Sequence, residues 1–208
     1  MKKLLALWGL ILVSFASQSQ KRSMEGSYFT FNNAFNVPML CYASHDLNNP
    51  NAAFARAEMG LDMNYGYQLS DQFGFVITMG YGTNKVNKNF IRTNSEKGYR
   101  YFTVYIGPQY VKRITNDFYV DLRVLGGFAR VGTPDLYINE ERLLSEAKAN
   151  SFTWSTGLGF KYLFSSSTFL SLRLDHLNMK PSFNVPGDKK NEQHIVVLSP
   201  GLGLGVKF

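Results

Sequence analysis

The sequence holds one cysteine, Cys41, and three histidines, His45, His176 and His194. A lone cysteine has no partner within the chain, which excludes a disulfide-stapled scaffold. The histidines are scattered, and no His, Cys or carboxylate cluster has metal-ligand spacing, so neither a metal nor a cofactor is expected. Glycines recur at every second position instead of crowding a turn ahead of a helix, which leaves no phosphate-binding loop. Beyond residue 20 no apolar run approaches the roughly 20 residues that a membrane-crossing helix requires.

What is present begins with "MKKLLALWGLILVSFASQSQ". Lys2 and Lys3 precede a run from Leu4 to Phe15 that is apolar apart from Gly9 and Ser14, and small and polar residues follow. This is the pattern of a secretory signal peptide, too short to anchor in a bilayer. Cleavage is expected between Ala16 and Gln20, giving a leader over residues 1–19 and one domain over residues 20–208. No cysteine follows the apolar run, so no lipoprotein is expected. Loss of the leader removes Lys2 and Lys3 and no acid, leaving 20 basic residues against 15 acidic ones.

The chain stops on "SPGLGLGVKF". Even positions from Val196 to Phe208 are apolar, whereas Gly201, Gly203, Gly205 and Lys207 are small or polar, a period of two that marks a strand with unlike faces. Similar alternation predicts eight strands near residues 25–35, 53–68, 72–83, 99–112, 117–131, 151–164, 167–178 and 193–208. Long connections ("NVPMLCYASHDLNNPNA", "NKVNKNFIRTNSEKG", "GTPDLYINEERLLSEAKAN", "MKPSFNVPGDKKNE") alternate with short ones ("LSDQ", "RITND", "SSS"). A transmembrane barrel sorts its connections in this way, with short periplasmic turns and longer extracellular loops. The fold class expected is therefore all-β: a closed, eight-stranded, antiparallel transmembrane β-barrel of up-and-down meander topology.

The faces follow. Met59, Leu61, Met63, Tyr65 and Tyr67, preceded by Ala55 and Ala57, oppose Phe54, Arg56, Glu58, Gly60, Asp62, Asn64 and Gly66. Leu122 and Val124 oppose Asp121 and Arg123, while Leu170, Leu172 and Leu174 oppose Ser171, Arg173 and Asp175. The apolar set is assigned to lipid and the small or polar set to the interior, consistent with a mean hydropathy of −0.16. Two aromatic girdles are expected. Tyr65, Tyr67, Phe73, Phe75, Tyr110, Phe160, Tyr162 and Phe164 bracket the short-turn end, and Phe35, Tyr81, Phe102, Phe128, Phe152 and Trp154 the other. Arg56, Arg123, Lys161 and Arg173 balance Glu58, Asp62, Asp121 and Asp175 inside, where an unpaired charge would be costly. A lumenal ion-pair network that plugs the narrow interior is expected, with an ion pathway or proton relay as the other reading.

Leader, strand count and terminal "GLGVKF" together resemble the small outer-membrane β-barrels of Gram-negative bacteria, the OmpX-like and OmpA membrane-domain-like family. The resemblance covers essentially all of the mature chain. It implies a bacterial outer-membrane location, contact with outer-membrane lipids and lipopolysaccharide, and recognition of Phe208 by the barrel-assembly machinery. No peptidoglycan-binding domain follows Phe208, so the anchoring role of OmpA is not expected. "RLDHLNMKPSFNVPG", Arg173 to Gly187, weakly resembles the His-x-Ser-Asn motif of PagL-type lipid A deacylases, with His176 at the base position. Asn178 stands where those enzymes carry the nucleophilic Ser, and Glu192 is loosely placed as the orienting acid, so no catalytic residue is assigned.

Lys85, Lys88, Arg92 and Lys97 in the second long connection, with Lys180, Lys189 and Lys190 in the fourth, read first as solvated charged loops; lipid A phosphates, not nucleic acid, are the anions at hand on that side. In the third, "NEERLLSEAKA" has helical spacing and predicts one or two turns over the mouth. The expected function is a non-enzymatic outer-membrane barrel whose extracellular loops bind a surface partner, protein or lipopolysaccharide. The alternatives are a lipid A-modifying enzyme and an accessory subunit of a secretion or uptake assembly.

Overall fold

Alternating side chains on eight long strands leave one apolar and one small or polar face, and in hydrocarbon such a sheet is stable only when its two edges meet. A computed structural model of the chain shows that closure. It describes residues 24, 26–46, 48–49, 52–87, 98–138, 141–144, 146–185 and 189–208. The expected leader, residues 1–19, and Lys88, Arg92 and Lys97 lie outside the described residues.

The elements are β1 (Gly26–Met39), a one-turn α1 (Leu40–Ala43), β2 (Glu58–Gln68), β3 (Phe73–Asn84), β4 (Tyr99–Arg113), β5 (Phe118–Gly132), β6 (Leu136–Ile138) and β7 (Glu141–Leu144). They continue with β8 (Lys148–Leu163), β9 (Thr168–Met179), β10 (Ser182–Val185), β11 (Lys189–Glu192) and β12 (Ile195–Lys207). The barrel order is β1-β12-β9-β8-β5-β4-β3-β2, with every strand paired antiparallel to its neighbours. Tyr28 opposite Lys207 and Met39 opposite Val196 bracket the seam where the first and last strands meet. Barrel strands run from 11 to 16 residues, enough for a tilted crossing of roughly 9–11 residues.

Residues 69–72, 114–117 and 164–167 form the tight turns at one end, and all four long connections leave the other. The first and third of these differ from expectation. The third connection does not turn as a helix: β6 pairs antiparallel with β7, Ile138 opposite Glu141. The fourth likewise folds back, β10 on β11. In the first, β2 begins at Glu58, so Phe54 and Ala55 do not continue its alternation. Phe54 takes a φ of 55°, in the left-handed region, and both side chains turn into the mouth, where they are buried.

The lipid face is as the alternation requires. Phe35, Tyr65, Tyr67, Phe73, Phe75, Tyr81, Phe102, Phe128, Phe152, Trp154, Tyr162 and Phe164 are all exposed on the outside, so the aromatics expected as girdles stand outward near the strand ends. The inner face contains more than small and polar residues. Tyr28, Tyr99, Tyr101, Tyr105, Tyr119 and Phe169 point inward and are buried. Inner-face glycines make that possible. Gly66 stands opposite Tyr28, Gly82 opposite Tyr101 and Gly205 opposite Phe169, and a Cβ at any of the three would overlap the facing ring. Each glycine is a notch for the aromatic beside it.

Gly66→Val should therefore cost about 1–3 kcal/mol by overpacking against Tyr28. Gly126→Ala, on the outer face where the added methyl meets only Phe152 at 3.7 Å, should be nearly neutral. Urea titrations in detergent, scored by the shifted migration of unheated folded protein on a denaturing gel, measure both.

Candidate functional site

The interior is built in layers, each set by which inward positions the register brings to one level. At the short-turn end Met24, Tyr28, Val111, Tyr119, Leu163 and Phe169 form an apolar floor. Above it Lys161 Nζ lies 3.2 Å from Asp121 Oδ2 and 4.1 Å from the centroid of the Tyr28 ring. The Tyr28 hydroxyl donates to Gln109 Oε1.

The next layer is the ionic centre. Arg123, through Nε at 3.1 Å and through Nη2, donates to Asp175 Oδ1. Arg173 bridges Asp175 Oδ2 and Asp62 Oδ1. Neutral groups complete the shell: Asn32 Nδ2 and Asn64 Nδ2 donate to Asp62 Oδ1 at 2.8 and 2.9 Å. Asn64 Oδ1 in turn accepts from Thr78 Oγ1 at 2.7 Å and from Arg123 Nη1 at 3.2 Å. Gly157 and Gly159 vacate the space these groups need, since a Cβ at either would collide with Asp175 or Asp121.

The structure thus brings together Asp62, Asp121, Arg123, Lys161, Arg173 and Asp175, three acids and three bases. Arg56 and Glu58 are not part of this group. Arg56 precedes β2 and is exposed, and Glu58, at the very start of the strand, opens to the mouth and pairs with Lys85 at 2.8 Å. Alternation carried them inward only because the strand was expected to start at residue 53. Asn32, Thr30 and Thr78 were not singled out as site residues. Their signal was the inward phase of β1 and β3, but a neutral amide or hydroxyl is drawn into a charged layer by cross-strand register, which one strand's pattern does not contain.

Above the charges lies a cavity of about 40 Å³ bordered by Asn36, Tyr101, Tyr105, Arg173 and Ser199. A lid closes it. Tyr42 of α1, Ala52, Ala53, Phe54 and Ala55 fold into the mouth against Tyr99, Tyr101, Phe183 and Ile195. Ala53 N–H donates to Cys41 O and Ala55 N–H to Tyr42 O. Asn84 ties the lid to the wall by donating to Asn36 O at 2.9 Å and Arg56 O at 2.8 Å. Burial raises the Tyr42 phenol well above its ordinary value, with Tyr101 and Tyr99 adding to the shift, so it stays a neutral donor to Asn84 Oδ1.

His176 does not face the lumen. It lies on the outer phase of β9, its ring 5.2 Å from that of Trp154. Asn178 Oδ1 lies 3.3 Å from His194 Nε2, so the nucleophile position holds an amide already engaged. Partial burial, then the charge of Lys180, lowers the pKa of His194. No metal-binding group of three or more His, Cys, Asp or Glu occurs among the described residues.

Arg123→Ala strips Asp175 of one of its two cations and should destabilise the barrel by roughly 3–5 kcal/mol. Arg56→Ala, outside the layer, should stay within about 0.5 kcal/mol. Equilibrium unfolding in detergent micelles compares the two.

Residues 4–208 match the family model described as "Outer membrane protein beta-barrel domain". No curated protein sequence gives a significant match. Among solved structures, neisserial surface protein A aligns with a TM-score of 0.59 at 12% identity, covering 88% of this chain and 98% of that one. OprG of Pseudomonas aeruginosa aligns with a TM-score of 0.59 at 15% identity, covering 90% and 98%. Ail, the attachment invasion locus protein of Yersinia pestis, gives 0.50 at 13%, covering 89% and 100%. At such identities the likeness is one of fold, whereas the family model spans nearly the whole sequence. This chain belongs to the outer-membrane protein β-barrel domain family and is a barrel of the bacterial outer membrane.

Proposed function

We propose that this protein is a non-conducting, non-enzymatic barrel that holds a recognition surface at the cell exterior, its four long connections engaging a surface partner. The observation that carries this reading is the filled lumen. An apolar floor, a charge-balanced ionic layer and a folded-in lid succeed one another along the axis. The cavity left between them, about 40 Å³, has room for only two or three water molecules. Eight strands leave no wider interior.

An anionic partner suits the basic connections, Lys88, Arg92 and Lys97 among them. Ail has been solved with the heparin analogue sucrose octasulfate, which supplies a probe. Export through the leader at residues 1–19 and recognition of Phe208 during assembly belong to the same reading. Phe208 is exposed at the short-turn end, its N–H donating to Ser27 O at 3.0 Å, so its ring is free to meet the assembly apparatus and later the interface.

Reconstituted in planar bilayers, the protein should pass no steady current. In vesicles it should bind a polysulfated probe more weakly once Lys88, Arg92 and Lys97 are replaced by Gln. Nutrient-sized conductance, a changed lipid A mass on expression, or constant co-purification with a larger complex would each replace this reading with a pore, an enzyme or an accessory subunit respectively.

Deleting Phe208 should leave refolding from urea into detergent nearly intact but lower the amount in the outer membrane of living cells. Lys207→Ser, on the inner phase, should do much less. Membrane fractionation beside in vitro refolding separates assembly from stability.

A further inference from the structure

On the outer wall of β4, β5 and β8 the side chains of even-numbered residues face outward. Near the long-connection end, the register sets Phe102 beside Arg130 and Arg130 beside Asn150. One step further out, Arg100 lies opposite Gly132, and Gly132 opposite Lys148. Neighbouring strands are about 4.8 Å apart, so Arg100 and Lys148 flank Gly132 at about 10 Å from each other. Arg130 is the diagonal neighbour of both.

Gly132 differs from the inner-face glycines. A Cβ there would meet nothing nearer than 3.9 Å, so the space over it is not filled by a neighbouring ring. Three cations surround an open notch. Among the described residues the one acid paired with them is Glu146, 3.7 Å from Arg100 with both side chains well exposed, a contact of little strength. A fourth cation, Lys180, is exposed one strand on, its N–H donating to Ser151 Oγ.

Below the notch the wall turns aromatic. Phe102, Phe128 and Phe152 are exposed, and the last two meet edge to face with centroids 6.2 Å apart. Among the described residues, β1, β2 and β3 lack this pattern. On β1, β2 and β3 the outward residues near this level are Met39, Met59 and Tyr81. The described cations beyond β2 and β3 are Arg56, which precedes its strand, and Lys85, which pairs with Glu58.

We infer that Arg100, Arg130 and Lys148 form a cradle around Gly132 that binds the phosphate of an outer-leaflet phosphoglycolipid, lipid A being the form expected in this membrane. The lipid's acyl chains run down over Phe102, Phe128 and Phe152. The cations lie on the lipid-facing phase one step above an aromatic girdle, where headgroup phosphates sit. Guanidinium forks suit phosphate oxygens, and long basic side chains can keep their heads at the interface while their stems cover apolar wall. A dissolved anion gains nothing from the aromatic floor beneath. This inference takes up the lipopolysaccharide named among the expected partners, so it rests on the outer-membrane reading above but not on the lumen or the loops.

The test uses the full mature chain in neutral detergent, titrated with bis-phosphorylated lipid A and followed by native mass spectrometry. Wild type should retain one lipid A molecule and should not retain its fully dephosphorylated form. Replacing Arg100, Arg130 and Lys148 together by Gln should weaken retention roughly a hundredfold, from the worth of about three interfacial cations. Gly132→Glu should weaken it at least tenfold although all three cations remain. Lys112→Gln with Arg113→Gln, at the opposite end, should change nothing. Unheated gel migration checks that each variant is folded.

Equal retention by wild type and the triple variant overturns the inference. So does displacement of lipid A by millimolar inorganic phosphate, which would mark a free-anion site instead. Persistence of polysulfate binding by a variant that has lost lipid A retention separates this wall site from the loop function.

Discussion

Hydrocarbon offers no hydrogen-bond partner to a backbone amide, and the whole architecture follows from that one constraint. An open sheet would leave two edges unsatisfied; pairing β1 with β12 along residues 28–39 and 196–207 removes both. Closure with only eight strands then makes the interior narrow. Side chains that face inward must either fill it together or be absent, which is why glycine and tyrosine occur as cross-strand partners on the inner wall.

The same narrowness decides the electrostatics. Six ionisable groups occupy two adjoining levels of the lumen, three acids against three bases. Each acid is held by more than one donor or lies against a fixed cation, so desolvation is met by direct contacts instead of water. Apolar residues cover the layer on both sides, the floor from the strands themselves and the lid from the first long connection. A neutral, capped, hydrogen-bonded layer is a rigid strut. It contributes to holding eight strands at fixed register.

The function proposed here accordingly lies outward, on the long connections and the upper wall. These two surfaces meet different phases. The proposed partner of the connections is a polyanion met in water. The wall above Phe102, Phe128 and Phe152 is the inferred place of a lipid headgroup, and Arg100, Arg130 and Lys148 stand there on three adjacent strands. Neisserial surface protein A, OprG and Ail share this fold, and a fold does not by itself fix a function.

Strand number, topology, the lipid-facing positions and six of the eight expected lumenal charges were legible from alternation, because period two is a local property and survives in a single strand's residues. Leu170, Leu172 and Leu174 against Arg173 and Asp175 needed no neighbour to be read. Arg56, Glu58, Phe54 and Ala55 were misplaced because the start of β2 is set by Phe54 turning into the mouth to bury its ring, a gain that depends on Tyr42, Tyr99 and Phe183 from distant segments. The helical spacing of residues 139–149 lost to β6–β7 pairing, for which the described structure offers no single cause. Which acid meets which base, which glycine receives which ring, and that Arg100, Arg130 and Lys148 converge on Gly132 were decided by register alone. Register is set between strands when the barrel closes, so the sequence by itself determined the wall and its two faces, while only the tertiary structure decided what stands beside what.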